Sequence, residues 1–153
     1  MRAVLQRVDS ATVSVDGELA GAIGRGLVVL VGIGRSDSAA DADYLVDKII
    51  NLRIFPDVDG RFDRSVRDIE GTLLVISQFT LYADIRKGRR PSFSEAAAPD
   101  HAMISFERLL EQFRATGVPI ETGRFRESMS VELVNDGPVT IVIDSADRDR
   151  PRR

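Results

Sequence analysis

The chain has no cysteine, no tryptophan and a single histidine, His101, among its 153 residues. Without cysteine there is no disulfide framework, no thiolate nucleophile and no thiolate zinc site, and one histidine cannot build a multi-histidine metal centre within a chain. A metal would have to rest on carboxylates. The acidic turn "DVDGRFD", Asp57 to Asp63, lacks the continuation and closing glutamate of a calcium loop, so neither a metal nor any other cofactor is expected. Long apolar runs are missing too. "GLVVLVGIG", Gly26 to Gly34, falls far short of the roughly 20 residues of a membrane helix, and "MRAVLQRV" lacks the apolar segment and cleavage site of a secretory leader. The expected setting is cytoplasmic, with no membrane partner. There is no Gly-x-Ser-x-Gly elbow, no P-loop and no Gly-x-Gly-x-x-Gly fingerprint; the glycines of "GAIGRG", Gly21, Gly24 and Gly26, are misspaced for the last. Excess positive charge is also lacking. A net charge of −3 argues against a protein that coats nucleic acid along its length, because such binding needs a broad basic face.

What is present is enough apolar material, 43% of residues, to bury one continuous core. A single domain over residues 1–144 is expected, followed by an Arg-rich C-terminal tail, residues 145–153, read as solvated. The first half reads as strands: "RAVLQRV", then "ATVSV" and "LAGAIG" around the turn signal Asp16-Gly17, then "GLVVLVGIG". Ala42, Leu45, Val46, Ile49 and Ile50 recur at helical spacing after the candidate caps Ser36, Asp37 and Ser38. "RIFPDVDGRF" reads as a turn-rich connection and "GTLLVIS" as a buried strand. A second helix is signalled by Pro99 in its first turn, by Met103, Phe106, Leu109, Leu110 and Phe113 on one face, and by Gly117 as its stop. "VPIET", "SMSVELV" and "VTIVID" close the chain as strands. The fold class is therefore mixed α/β (α+β), with a mostly antiparallel or mixed, barrel-like sheet and two main amphipathic helices.

Three stretches invite function. In "SQFTLYA", Ser77 to Ala83, an apolar strand ends abruptly in hydroxyl and amide groups, where polar side chains either satisfy loose backbone groups or reach a cleft. Thr80 lacks any signalled base and is a weak nucleophile. In "IRKGRRP", Arg86, Lys87, Arg89 and Arg90 surround Gly88, forming either a solvated loop or a phosphate contact. In "NDGPVT", Asn135 to Thr140, the plain reading is a tight turn between two strands. His101 falls in the first turn of the second helix, without a partner to orient it as a base.

Taken in order, "QRV" (Gln6 to Val8), "GAIGRGLVVLVGIG" (Gly21 to Gly34), "RIF" (Arg53 to Phe55), "SQFTL" (Ser77 to Leu81), "KGRRPSF" (Lys87 to Phe93), "TGRF" (Thr122 to Phe125) and "NDGPVT" resemble the D-aminoacyl-tRNA deacylase family. The resemblance implies a homodimeric, metal-free esterase that removes D-amino acids, and misattached glycine, from the 3′ end of tRNA and spares L-aminoacyl-tRNA. By the same resemblance, Ser77, Gln78, Phe79 and Thr80 line the catalytic pocket. Gly137 and Pro138 form a cis-proline motif that enters the partner subunit's pocket and, with Phe125, selects the substrate's handedness. Proton chemistry is then supplied largely by the terminal 2′-hydroxyl of the tRNA, with backbone amides stabilising the oxyanion. The chain departs from the family at "GRFD" (Gly60 to Asp63), where Gly-Lys-Met-Asn is usual, and at Arg126-Glu127, where a small residue usually follows the phenylalanine. The alternative from another class is a non-catalytic RNA-binding module using "RKGRR" for phosphate contact.

Overall fold

The computed structural model describes residues 1–151. Strand β1 (Arg2–Val15) turns at Asp16-Gly17 into β2 (Glu18–Ile23), and β3 (Gly26–Gly32) follows. Helix α1 (Ala39–Asn51) leads to a small hairpin, β4 (Phe55–Pro56) and β5 (Phe62–Arg64), and then to β6 (Thr72–Ser77). Helix α2 (Pro99–Ala115) precedes β7 (Ile120–Thr122), and β8 (Ser130–Asp144) ends the sheet. The two segments expected as separate first strands are one long strand, because β1 keeps its in-and-out burial on both sides of the exposed pair Asp9 and Ser10. The hairpin β4-β5 sits inside what reads as a turn-rich connection.

The sheet runs β2-β1-β3-β6-β7, with β8 paired to β1. β1 is antiparallel to β2, β3 and β8, while β3-β6 and β6-β7 are parallel, each parallel step crossing over through one helix. β2 comes back against β7, with Gly21 beside the Thr122 carbonyl, so the sheet curls into a nearly closed barrel. Mixed strand directions in a barrel-like sheet with two helices are what the sequence predicts.

Two apolar cores result. Inside the curl lie Val8, Ala11, Val13, Ile23, Val28, Leu74 and Ile76. On the other face, Leu5, Val29, Leu73 and Val75 meet Leu45 and Ile49 of α1 and Phe106, Leu109 and Phe113 of α2. β3 and β6 are covered on both faces, which is why "GLVVLVG" and "TLLVIS" read as continuous apolar runs. Met103, expected on the inner face of α2, is 42% exposed. The buried stripe of α2 starts one turn later, at Phe106.

At the N-terminus of α1, the Asp41 carboxylate accepts from both the Ser38 N–H and its hydroxyl, each at 2.8 Å. The same carboxylate accepts from Ser145 at 2.8 Å and pairs with Arg148 at 3.4 Å. Residues beyond β8 therefore do not simply trail into solvent. Ser145–Asp149 form a 3-10 turn docked on α1, and Arg152 and Arg153 of the Arg-rich tail lie outside the described residues. No described helix is long and apolar enough to cross a membrane.

Candidate active site

β6 delivers its last residue, Ser77, to the open end of the barrel, where the Gln78 N–H bonds the Val31 carbonyl of β3 at 2.7 Å. The chain then tightens into a 3-10 turn, Phe79–Tyr82. The change of backbone follows from the change of composition: apolar residues end at Ile76, and the next side chains no longer fit a two-sided core. Tyr82 anchors the far end of the turn. Its hydroxyl donates to the Asp37 carboxylate at 3.3 Å, and the Arg2 guanidinium lies 4.5 Å over its ring while donating to the Leu81 carbonyl at 3.0 Å. Burial, reinforced by the Asp37 charge, pushes the Tyr82 phenol well above its usual range.

A cavity of about 410 Å³ opens beside this turn. Ser77, Gln78 and Phe79 form one side, Val31 and Ile33 the floor, and Phe93, Ala96, Ala97, Pro99 and Ala102 the approach to α2. Phe125 and Arg126 close it from the segment after β7. Aromatic contacts shape both walls. Phe79 meets Phe93 edge-on with ring centroids 5.0 Å apart, and Phe125 leans on Phe106 at 5.8 Å. Of the residues singled out in the sequence, the cavity brings together Ser77, Gln78, Phe79 and Phe125. Thr80 faces away, exposed, and takes a hydrogen bond from the Gln78 side-chain amide. His101 is exposed and does not line the cavity.

Among the described residues, the cavity is apolar apart from a hydroxyl, an amide and the Arg126 guanidinium, and no side chain on it can serve as a general base near neutral pH. Among the described residues, no three histidine, aspartate or glutamate side chains gather as metal ligands. Phe93, the small residues Ala96, Ala97 and Ala102, and Pro99 carry no pocket signal of their own. Tertiary packing brings them in, and only Phe93 falls within a stretch, "KGRRPSF", that stands out in the sequence.

"NDGPVT" is not a turn between two strands. β8 pairs with β1 on both sides of it: Gln6 faces Thr140 and Val8 faces Asn135, so the single residue Arg7 stands opposite the segment from Asp136 to Val139. These residues bulge outward. Asn135 clamps the base of the bulge, its side-chain oxygen accepting from the Val139 N–H at 2.7 Å and its amide donating to the Val139 carbonyl at 3.2 Å. From below, Arg7 donates to the Asp136 carbonyl at 2.9 Å and to the Ile54 carbonyl at 2.6 Å, and pairs with the Asp136 carboxylate at 3.1 Å. The Arg7 side chain is 8% exposed. The alternation Ala3, Leu5, Arg7 along β1 is the sequence signal that marks it as inward-facing. At the tip, the Gly137-Pro138 peptide bond is cis, as the resemblance implies. Both residues are exposed, and neither lines the cavity of its own chain.

The basic loop leads from the 3-10 turn back to Phe93, its neck closed by the Asp84–Ser92 bridge. Arg86 is engaged within it. Its guanidinium pairs with Asp84 at 2.6 Å, and the hydrogen bonds from the Arg86 side chain and backbone hold the Asp84 carboxyl down at about 2. Lys87, Arg89 and Arg90 are exposed.

Residues 4–144 match the family model described as D-Tyr-tRNA(Tyr) deacylase. A protein of Solibacter usitatus named D-aminoacyl-tRNA deacylase is 55% identical over 150 residues, covering 98% of this chain and 99% of that one. One of the same name from a Roseiflexus species is 57% identical over 152 residues, covering 99% and 98%. Among solved structures, one titled c-Myc DNA Unwinding Element Binding Protein aligns with a TM-score of 0.89 at 42% identity, covering 94% of this chain and 98% of that one. Another, titled as a probable eukaryotic D-amino acid tRNA deacylase, shares the fold with a TM-score of 0.79 at 19% identity, covering 93% and 97%.

Proposed function

Since the chain belongs to the D-Tyr-tRNA(Tyr) deacylase family, we infer that the cavity beside Ser77 and Phe79 receives the aminoacylated 3′ end of a tRNA. The protein is a D-aminoacyl-tRNA deacylase, an ester hydrolase, and the non-catalytic RNA-binding alternative is not favoured, since the pocket stretch "SQFTL" and the bulge "NDGPVT" are both intact. The observation that carries the site assignment is the composition of the cavity: shaped by aromatic rings, and with no base of its own.

A neutral water or hydroxyl needs a base to attack an ester. With none on the cavity wall, the proton chemistry falls to the substrate, whose terminal 2′-hydroxyl lies beside the ester. The protein's part is orientation and charge stabilisation. Among the described residues, no side chain caps the N–H groups that open the 3-10 turn at Phe79, and in this reading they take the developing oxyanion. Ser77 and Gln78 fix the ester, Phe79 and Phe125 enclose the acyl group, and Thr80 steadies Gln78 from outside.

Handedness is assigned to the bulge. Gly137 and Pro138 project from the surface and stay off their own cavity, so the working unit is a homodimer in which each bulge walls the other chain's cavity. With the ester carbonyl held at the turn and the ammonium on the carbonyls of the partner subunit's Gly137 and Pro138, only hydrogen and side chain exchange places between enantiomers. A D side chain leaves by the open mouth, whereas an L side chain meets the wall. Glycine, with no side chain, is also accepted. Lys87, Arg89 and Arg90 lie on a loop leading into the cavity wall and contact phosphate without specifying sequence; Arg86, held by Asp84, contributes less. The domain that does this spans residues 1–144, in a cytoplasmic setting.

The test is to follow ester loss from matched D- and L-aminoacyl-tRNA with purified protein. Rapid hydrolysis of the D ester, with the L ester spared, is expected. Equal rates on both would defeat the handedness assignment. A terminal 2′-deoxy substrate should react far more slowly, and undiminished hydrolysis of it would return the proton chemistry to the protein.

A further inference from the structure

Among the described residues, Arg126 is the only charged side chain on the cavity, and its backbone is held at φ 65°, in the left-handed region that side chains other than glycine avoid. A non-glycine residue kept there, at the rim of a pocket, calls for a function. Its in-chain partner is weak. The guanidinium lies 3.4 Å from the Asp100 carboxylate, with the side chains 57% and 90% exposed, and an exposed pair of this kind contributes little. The neighbouring Arg124 is turned away, 3.6 Å from Glu18.

The substrate class decides what such a cation can face. Close to the ester, an aminoacylated RNA end carries one positive group, the α-ammonium, which a guanidinium repels. It carries one negative group, the phosphate on the 5′ side of the terminal nucleoside. The cavity is otherwise uncharged and suits the acyl group and the sugar, so the phosphate comes to the rim. We propose that Arg126 holds this terminal phosphate and thereby sets the depth at which the ester enters the cavity. This deepens the deacylase reading and rests on it. A guanidinium presents paired donors that match phosphate oxygens, and exchanging an exposed carboxylate for that phosphate loses little.

The test compares two small substrates that differ by one group, adenosine carrying a D-aminoacyl ester on its 3′ oxygen, with and without a 5′-phosphate. The readout is the ratio of kcat/KM between them. The wild type should prefer the phosphorylated ester, and Arg126→Gly, which also frees the backbone to adopt φ 65°, should lower that ratio about tenfold. Arg126→Lys should retain part of it. On full-length tRNA, the Gly variant should show a log–log salt dependence of KM flatter by about 0.7, the loss of one single-strand phosphate contact. A ratio unchanged in the Gly variant, or an equal drop on both substrates, would overturn the assignment and make Arg126 a structural or acyl-facing residue. A wild-type protein inert on both small substrates and on D-aminoacyl-tRNA would remove the deacylase reading itself, and this assignment with it.

Discussion

Arg7 shows how much a single side chain can organise. Its guanidinium is buried, yet it is satisfied by two carbonyls and a carboxylate, and it couples the bulge on β8 to the segment leading into the β4-β5 hairpin. Replacing it with Met leaves those acceptors unpaired, at a cost of about 2–3 kcal/mol. Urea unfolding should show that loss together with a drop in D-aminoacyl-tRNA hydrolysis, and an equally stable, fully active variant would remove Arg7 from this role. Gly137 is similarly constrained. At φ 138°, an added Cβ would lie 2.7 Å from the Val139 side chain and 3.2 Å from Arg7, so Gly137→Ala should distort the bulge. Because Val139 and Arg7 are buried, stability should fall by about 1–3 kcal/mol, read by urea unfolding, and hydrolysis should fall at least about tenfold, corresponding to roughly 1.4 kcal/mol in the transition state; a variant as stable and as active as the wild type would remove Gly137 from this role. Asp41 contributes to the acid dependence of stability. Burial works to raise its carboxyl, but hydrogen bonds from the Ser38 N–H, the Ser145 hydroxyl and the Ser38 hydroxyl, with the N-terminal charge, outweigh it and hold the group at about 2, below its usual 3.8. Between these values the unfolded chain binds the proton and the folded one does not, so stability rises with pH. This contribution is complete above about pH 4 and is lost as pH falls toward 2. Asp41→Asn should flatten the acid limb of a thermal-melt profile; an unchanged limb would show that other carboxylates govern it.

Elements differ in how plainly the sequence writes them. Both helices are legible because a period near 3.6 coincides with a start signal, the cap Ser38 in α1 and the first-turn Pro99 in α2. β1 is harder: Asp9 and Ser10 resemble a break, and only the partner strands show that the chain runs straight through. "NDGPVT" has the composition of a reversal, yet β1 lies along both of its flanks, so pairing overrides the local turn preference. The β4-β5 hairpin hides among Pro56, Asp57, Asp59 and Gly60, which signal turns without saying that two short strands pair across them. The candidate site divides along the same line. Ser77, Gln78, Phe79 and Phe125 stand out by resemblance, whereas Ala96, Ala97, Pro99 and Ala102 become cavity wall only once α2 packs. Parallel pairing of β3 with β6 imposes its own demand. Gly26 lies directly against the Thr72 backbone, where a Cβ would collide with the Thr72 carbonyl. Gly26→Ala should therefore destabilise by about 3 kcal/mol, read by chemical denaturation, and a neutral result would mean that the strand pair separates easily.

For the molecule as a whole, the decisive question is how many chains make one working unit. β8 is paired on one side only, and Val134 and Val142 on it are 55% and 73% exposed. A long, apolar, half-paired edge strand is a surface that proteins normally cover. Light scattering at micromolar concentration should give about twice the 16.8 kDa chain mass, and Val134→Asp with Val142→Asp should halve it and abolish hydrolysis together. An active monomer would separate the bulge from catalysis. The β1-β8 ladder also bears on how the protein is made. Arg2 pairs with Asp144 and Ser14 with Ser130, so β1, made well before β8, must wait for it. Until then β1 has a bare edge, and the clamp between Arg7 and the bulge does not exist. A nascent chain can therefore curl β2 through β7 into the barrel before β8 emerges, but a chain arrested at that point keeps a sticky β1 edge and has no bulge.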